Sequence, residues 1–168
     1  GMVGLLVVQT LRAAGCGTII AIDNHPEHLE LAKTLGADIT LLSHAAVHEE
    51  VKTLTQGEGT DLVLEVAGTK ASVHTAIACV RKGGAVTLVG NISPSVDLPL
   101  QVVVTRELTL QGSCASNGEY PACLDMIARG AVNVDAIISQ SAPLSDGQHW
   151  FSTLYNKEGH HLKIVLNP

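Results

Sequence analysis

The feature that most constrains this chain is a repeated alternation of short β-branched runs with longer segments of helical pattern. Residues 18–23 (TIIAID), 38–43 (DITLLS), 61–68 (DLVLEVAG), 84–91 (GAVTLVGN) and 107–113 (ELTLQGS) read as strands. Nearly continuous apolar runs of this length suit a parallel sheet covered on both faces. Between them lie helical stretches. Residues 2–14 carry apolar side chains around Gln9 and Arg12 and stop at Gly15, a fitting C-terminal cap. The next helix starts at Asn24-His25-Pro26, where the proline's missing N–H needs no partner, and stops at Gly36. Residues 45–55 and 70–81 supply two more. Strand–helix–strand repetition with short connections predicts right-handed crossovers and an α/β fold, a doubly wound, mostly parallel sheet.

Beyond Ser113 the pattern predicts helix at 120–129, strand at 136–139, helix at 145–155 and a last strand at 162–166. No repeat, low-complexity tract or linker separates a second domain, so residues 1–168 read as one. Hydrophobic residues make up 46% and charged residues 15%, which excludes disorder. Acidic residues outnumber basic ones, 16 to 10, with no basic block, and aromatics are 2%. Such a surface repels phosphate backbones and anionic lipid and offers no base-stacking platform, so neither nucleic acid nor membrane is an expected partner. Cys16, Cys79, Cys114 and Cys123 form no CxxC pair and read as small core hydrophobes of a reduced, cytoplasmic protein. The apolar opening has no basic flank or cleavage site and is interrupted by Gln9 and Arg12, unlike a signal peptide or a span.

Two features carry chemistry. Gly1-Met2-Val3-Gly4 at the head of a helix matches the last four positions of GxGxxG, and Asp23 closes the following strand. In that setting one glycine admits a pyrophosphate to the backbone, the last packs helix against sheet, and the acid grips ribose hydroxyls. The alternative is that Gly4 only relieves crowding and Asp23 only caps a helix. A carboxylate at Asp23 would repel a 2′-phosphate, no arginine follows it, and His28 is a poor phosphate clamp at neutral pH. NAD is therefore favoured over NADP. Two glycine-terminated strand ends, Glu65-Val66-Ala67-Gly68 and Leu88-Val89-Gly90-Asn91, fall on the carboxyl edge where ligands bind open α/β sheets. Glycine there admits a ring against the backbone; the alternative is that Gly68 and Gly90 are turn residues.

On these motifs the sequence resembles the zinc-type medium-chain alcohol and polyol dehydrogenases, the sorbitol, threonine and galactitol-phosphate dehydrogenase branch in particular. Gly-Met-Val-Gly-Leu-Leu, Ile-Asp23, Leu35-Gly36-Ala37-Asp38, residues 61–68, Lys82-Gly-Gly-Ala-Val-Thr-Leu-Val-Gly90, Leu110-Gln-Gly-Ser113 and Leu162-Lys163-Ile-Val carry the likeness. It runs in order over essentially the whole chain and implies the cofactor-binding half of such an enzyme. The resemblance implies that backbone around Val89, Gly90, Ser113 and Ala115 holds the nicotinamide carboxamide. Lys163 reaches the pyrophosphate, and Asp23 and His28 flank the adenosine ribose. With Gly1, Val3, Gly4, Ala67 and Gly68 these are the expected cofactor-binding residues. Lys163 also reads as a solvated edge-strand charge.

Departures from the family shape the remaining expectations. The family's zinc-binding catalytic domain mostly precedes a segment like this one, and neither a catalytic nor a metal-binding residue is expected here. His160 and His161 would point to opposite faces of a strand, and His44 and His48, one helical turn apart, lack a third ligand. The chain alone is expected to be catalytically silent. The sheet's first strand is missing from the glycine motif, leaving a central position for another segment, a partner chain or closure to fill, and residues 156–168 would pack on the absent catalytic domain. Residues 98–104 read as an exposed edge strand and 162–166 as an orphaned one, so a homodimer or larger assembly is expected through one of them. The competing functional reading is a non-catalytic nucleotide-binding or assembly module; a methyltransferase-like site is the third.

Overall fold

The computed structural model describes residues 1–168. Helix α1 (Met2–Ala13) buries Leu5, Val8 and Gln9, three positions on one face. It ends where Gly15 turns to φ +81°. The Gly15 N–H then donates to Arg12 O, and the Cys16 N–H to Leu11 O. Gln9 is buried without cost to its amide, because its Oε1 accepts the Asn133 N–H at 2.6 Å and its Nε2 donates to Asn133 O at 3.2 Å. Strand β1 (Ile20–Asp23) leads into α2 (Pro26–Thr34), which stops at Gly36, φ +116°. Arg12 explains why Gly36-Ala37-Asp38 stands next. Its guanidinium donates to Gly36 O at 2.8 Å and to Asp38 Oδ2 at 2.6 Å, while the same Asp38 oxygen accepts the Ile19 N–H. One arginine thus satisfies a carbonyl beyond the end of α2 and fixes the acid that pins the start of β1. The Ile19 N–H and then Arg12 hold the Asp38 carboxyl below its ordinary pKa.

Strand β2 (Ile39–Leu42) pairs with β1, with Ile39 N–H donating to Ile19 O and Ser43 N–H to Asp23 O at a constant offset, as parallel strands do. After α3 (Val47–Leu54) come β3 (Thr60–Glu65), α4 (Lys70–Cys79), β4 (Val80–Leu88), α5 (Leu100–Thr105) and β5 (Thr109–Gly112). Strands β3, β4 and β5 form a parallel sheet in that order, with Leu64 opposite Thr87, Glu65 opposite Leu88, and Leu88 opposite Gly112. A reciprocal cap starts α4: Thr69 Oγ1 accepts the Ser72 N–H and Ser72 Oγ accepts the Thr69 N–H. The chain closes with α6 (Tyr120–Ala128), β6 (Ile138–Pro143), α7 (Gly147–Tyr155) and β7 (Lys163–Asn167).

Contacts divide the chain into two compact units. One comprises residues 1–21, 30–39 and 119–168, with a core of Leu5, Val8, Ile19, Ala32, Ala37 and Ile137. The other comprises residues 22–29 and 40–118, where Ala76, Val80 and Val86 pack with Val63, Leu88, Leu108 and Leu110.

The architecture is the expected doubly wound α/β type, and its strands fall in separate hydrogen-bonded sheets, β1–β2, β3–β4–β5 and β6–β7. Strands β6 and β7 pair with each other in parallel. Residues 162–166 are therefore not orphaned: the strand expected at 136–139 forms at Ile138–Pro143 instead and supplies a partner. Residues 98–104 are not a strand either. Pro99 offers no N–H to a ladder, and its φ of −73° starts the turn of α5. His160 and His161 precede β7 rather than lie in it, and the His161 ring packs edge-on to Trp150.

Candidate functional site

The carboxyl ends of β3, β4 and β5 come together in the second unit. There Leu88, Val89, Gly90, Asn91, Gly112, Ser113, Cys114 and Ala115 line a cavity of about 450 Å³. The pairing of Leu88 with Gly112 brings the two strand ends side by side, and the Ser113 N–H donates to Leu88 O at 2.9 Å. The four residues expected around a carboxamide, Val89, Gly90, Ser113 and Ala115, thus line one wall system. Ala115 takes φ +52°, a conformation that costs an L-residue about 1 kcal/mol or more and tends to gather at functional sites.

At Gly68 and Gly90 two backbones touch, which by itself requires glycine at both positions. A Cβ at Gly90 would lie 2.0 Å from Gly68 N, and one at Gly68 would lie 2.3 Å from Asn91 N. Gly68 also sits at φ +68°. The turn reading of Gly68 is therefore right as far as it goes, while Gly90 still lines the cavity. Beneath this contact lies a residue the sequence reading passed over. Glu65 is a buried carboxylate at 4% exposure, and it accepts the Ala67 and Gly68 N–H groups at 2.8 and 2.9 Å. The available signal was an acid ending an apolar strand three positions before the turn glycine Gly68.

Asp23 ends β1 in the same unit as the cavity and is half-buried. Its Oδ1 accepts the His25 N–H at 3.0 Å and lies 3.1 Å from His28 Nδ1. Burial would raise its pKa, but hydrogen bonds outweigh that, those from His25 and His28 among them, and hold it below the ordinary value. Asp23 therefore closes a local turn onto His25, just ahead of α2. Gly1 caps α1, with Val3 and Gly4 in its first turn, and Lys163 opens β7; these belong to the first unit. His44 contacts Glu50 and His48 contacts Glu49, and no three His, Cys, Asp or Glu side chains gather as a metal-binding group.

The cysteines divide by environment, which corrects the core reading for Cys114, the one thiol beside the expected nicotinamide strand, and for Cys123. Cys79 is buried and its thiol is pushed up to about 11 by desolvation, whereas Cys114 and Cys123 are exposed. The difference follows from position: Cys79 faces the core at the end of α4, while Cys114 sits on the cavity rim. A thiol-disulfide reagent at pH 8 should label Cys114 and Cys123 first and Cys79 only on unfolding. Rapid labelling of Cys79 in the native protein, read by mass spectrometry, would contradict this assignment.

The chain is thus an α/β protein of doubly wound type with a cavity at its strand ends, the position where open α/β sheets take ligands. The family model for zinc-binding dehydrogenases matches residues 3–129, and the chain belongs to that family. It is 32% identical to the sorbitol dehydrogenase of Bacillus subtilis, covering 100% of this chain and 48% of that protein. Among solved structures, alcohol dehydrogenase TADH from Thermus sp. ATN1 is 33% identical with a TM-score of 0.88, covering 99% of this chain and 49% of its own. A zinc-binding dehydrogenase from Sinorhizobium meliloti 1021, solved bound to NADP, is 26% identical with a TM-score of 0.87 over 100% and 50%. The chain spans about half the length of these relatives. No helix is long and apolar enough to cross a membrane.

Proposed function

We propose that this chain is the nicotinamide-dinucleotide-binding part of an oxidoreductase that moves hydride between NAD and a secondary alcohol or polyol. The observation that carries the reading is the cavity at the ends of β4 and β5. The residues expected to hold a carboxamide line it, in a family whose relatives are named for polyol and alcohol oxidation. When bound, the dinucleotide supplies the hydride acceptor. The chain's own residues bind and orient it: main-chain groups of Val89, Gly90, Ser113 and Ala115 hold the carboxamide, and Ala67 and Gly68 back that wall. The N–H groups at the head of α1, around Gly1, Val3 and Gly4, and Lys163 meet the pyrophosphate. Asp23 and His28 meet the adenosine ribose, and the Asp23 charge selects NAD over NADP. The NADP of one relative makes that choice the sharpest point of the proposal.

We expect this chain to hold no zinc ion of its own. His44 and His48 each face one carboxylate and no group of three His, Cys, Asp or Glu side chains forms, so no step is routed through a metal here. Zinc chemistry belongs to the part of the relatives that this chain does not span, and residues 156–168 would pack on that part. Titration with NADH should enhance its emission and raise the thermal midpoint. No change in either would overturn the proposal.

The same reading includes self-association. Leu98, Leu100, Val102 and Val104 around α5 are exposed, Leu100 by 63% and Val104 by 65%, an apolar patch that favours a cover. We expect a homodimer or larger, with twice the chain's mass or more by light scattering at micromolar concentration. A clean monomer, or a dimer unaffected by Leu100→Asp with Val104→Asp, would reject this surface.

A further inference from the structure

Burying a carboxylate in an apolar strand is costly unless donors converge on it. Glu65 meets that condition with unusual economy. Its Oε1 accepts the Ala67 and Gly68 N–H groups, its Oε2 accepts Gly68 N–H again at 3.1 Å, and its main-chain oxygen accepts the Val89 and Gly90 N–H groups at 2.8 and 3.0 Å. One residue therefore holds both backbone segments of the Gly68–Gly90 contact, and Gly90 lines the cavity. A third tie, Ser93 N–H to Gly68 O at 2.8 Å, runs from the same turn to the segment beyond Gly90. An acceptor-only side chain suits converging N–H donors on both oxygens, whereas an amide keeps one accepting oxygen and sets its own NH2 where Oε2 meets the Gly68 N–H.

We propose that Glu65 is a positioning residue for the nicotinamide end of the cofactor site, a role that rests on the function proposed above. Its carboxylate fixes the Ala67–Gly68 turn, the turn backs Gly90, and so the main-chain groups of Val89 and Gly90 are held where a carboxamide meets them. Loss of the carboxylate releases the turn and blurs that wall, without touching Asp23 or the head of α1.

The test uses Glu65→Ala and the shape-conserving Glu65→Gln, which keeps one acceptor oxygen and stands in if the alanine variant fails to fold. Amide hydrogen exchange should quicken at Ala67, Gly68 and Gly90 in the alanine variant, less so in the glutamine variant, and stay unchanged in α1 and α2. NADH should bind roughly 10- to 100-fold more weakly to Glu65→Ala, while adenosine diphosphoribose, which lacks the nicotinamide, binds as to wild type. Unaltered exchange at Ala67 and Gly68 would overturn the positioning role. Equal weakening of NADH and adenosine diphosphoribose would reduce it to general stability. If wild type binds neither ligand, the cofactor reading falls, and the exchange result alone decides whether Glu65 holds the turn.

Discussion

Gly90→Ala should destabilise the protein by about 3 kcal/mol, among the larger effects of any single methyl group added to it. The new Cβ would sit 2.0 Å from Gly68 N and 2.6 Å from Ala67 C, and both obstacles are main chain, which cannot rotate away. Relief requires the β3 and β4 ends to separate, but Val89 and Gly90 N–H donate to Glu65 O and oppose it. Gly68→Ala should cost at least as much, since it adds a strained φ of +68° to the clash with Asn91 N at 2.3 Å. Gly112→Ala is the matched control. It lies at the end of the neighbouring strand, its Cβ meets nothing within 4 Å, and its stability should stay within about 1 kcal/mol of wild type. Thermal or urea denaturation of the three variants decides the matter. Equal midpoints for Gly90→Ala and Gly112→Ala would mean that the close approach is not rigid.

That contact also shows what was and was not legible in the sequence. The alternation of β-branched runs with capped helices carries the order of elements, because strand and helix periodicities are local properties. Pro26 and Gly36 mark the limits of α2 for the same reason. The pairing of Gly68 with Gly90 is a contact between two backbones 22 positions apart, which no local pattern encodes. Each glycine was visible as a strand terminator, but the object that excluded a side chain was not. Glu65 escaped notice on similar grounds: in sequence it is one acid in an apolar run, and only the turn that folds back over it reveals two N–H donors. Residues 98–104 failed in the opposite sense. Three consecutive valines outweighed one proline in the reading, whereas Pro99 governs the backbone and the valines follow it into α5. The partner of β7 was likewise hidden, since strand pairing depends on which segments meet rather than on how apolar each is.

Asp23→Ala should weaken NADH binding by about 1.5–3 kcal/mol, the usual worth of hydrogen bonds to a charged group. The same change should leave NADPH binding unchanged or improved, because the carboxylate that repels a 2′-phosphate is gone. The structure complicates the alanine variant, since Asp23 Oδ1 also accepts the His25 N–H and contacts His28 at the head of α2. A loss of affinity could then come from a loosened helix start rather than from the ribose. Asp23→Asn separates the two causes. Its amide oxygen can still accept the His25 N–H, so its stability should remain within about 1 kcal/mol of wild type. Its charge is gone, so the preference for NADH over NADPH should still narrow. Calorimetric titration of wild type and both variants with each nucleotide reads the outcome directly. If Asp23→Asn keeps the full preference for NADH, the carboxylate does not select the cofactor. If wild type binds NADPH more tightly than NADH, the assignment of NAD is wrong, and His28, beside Asp23 at 3.1 Å, becomes the residue to examine for a phosphate contact.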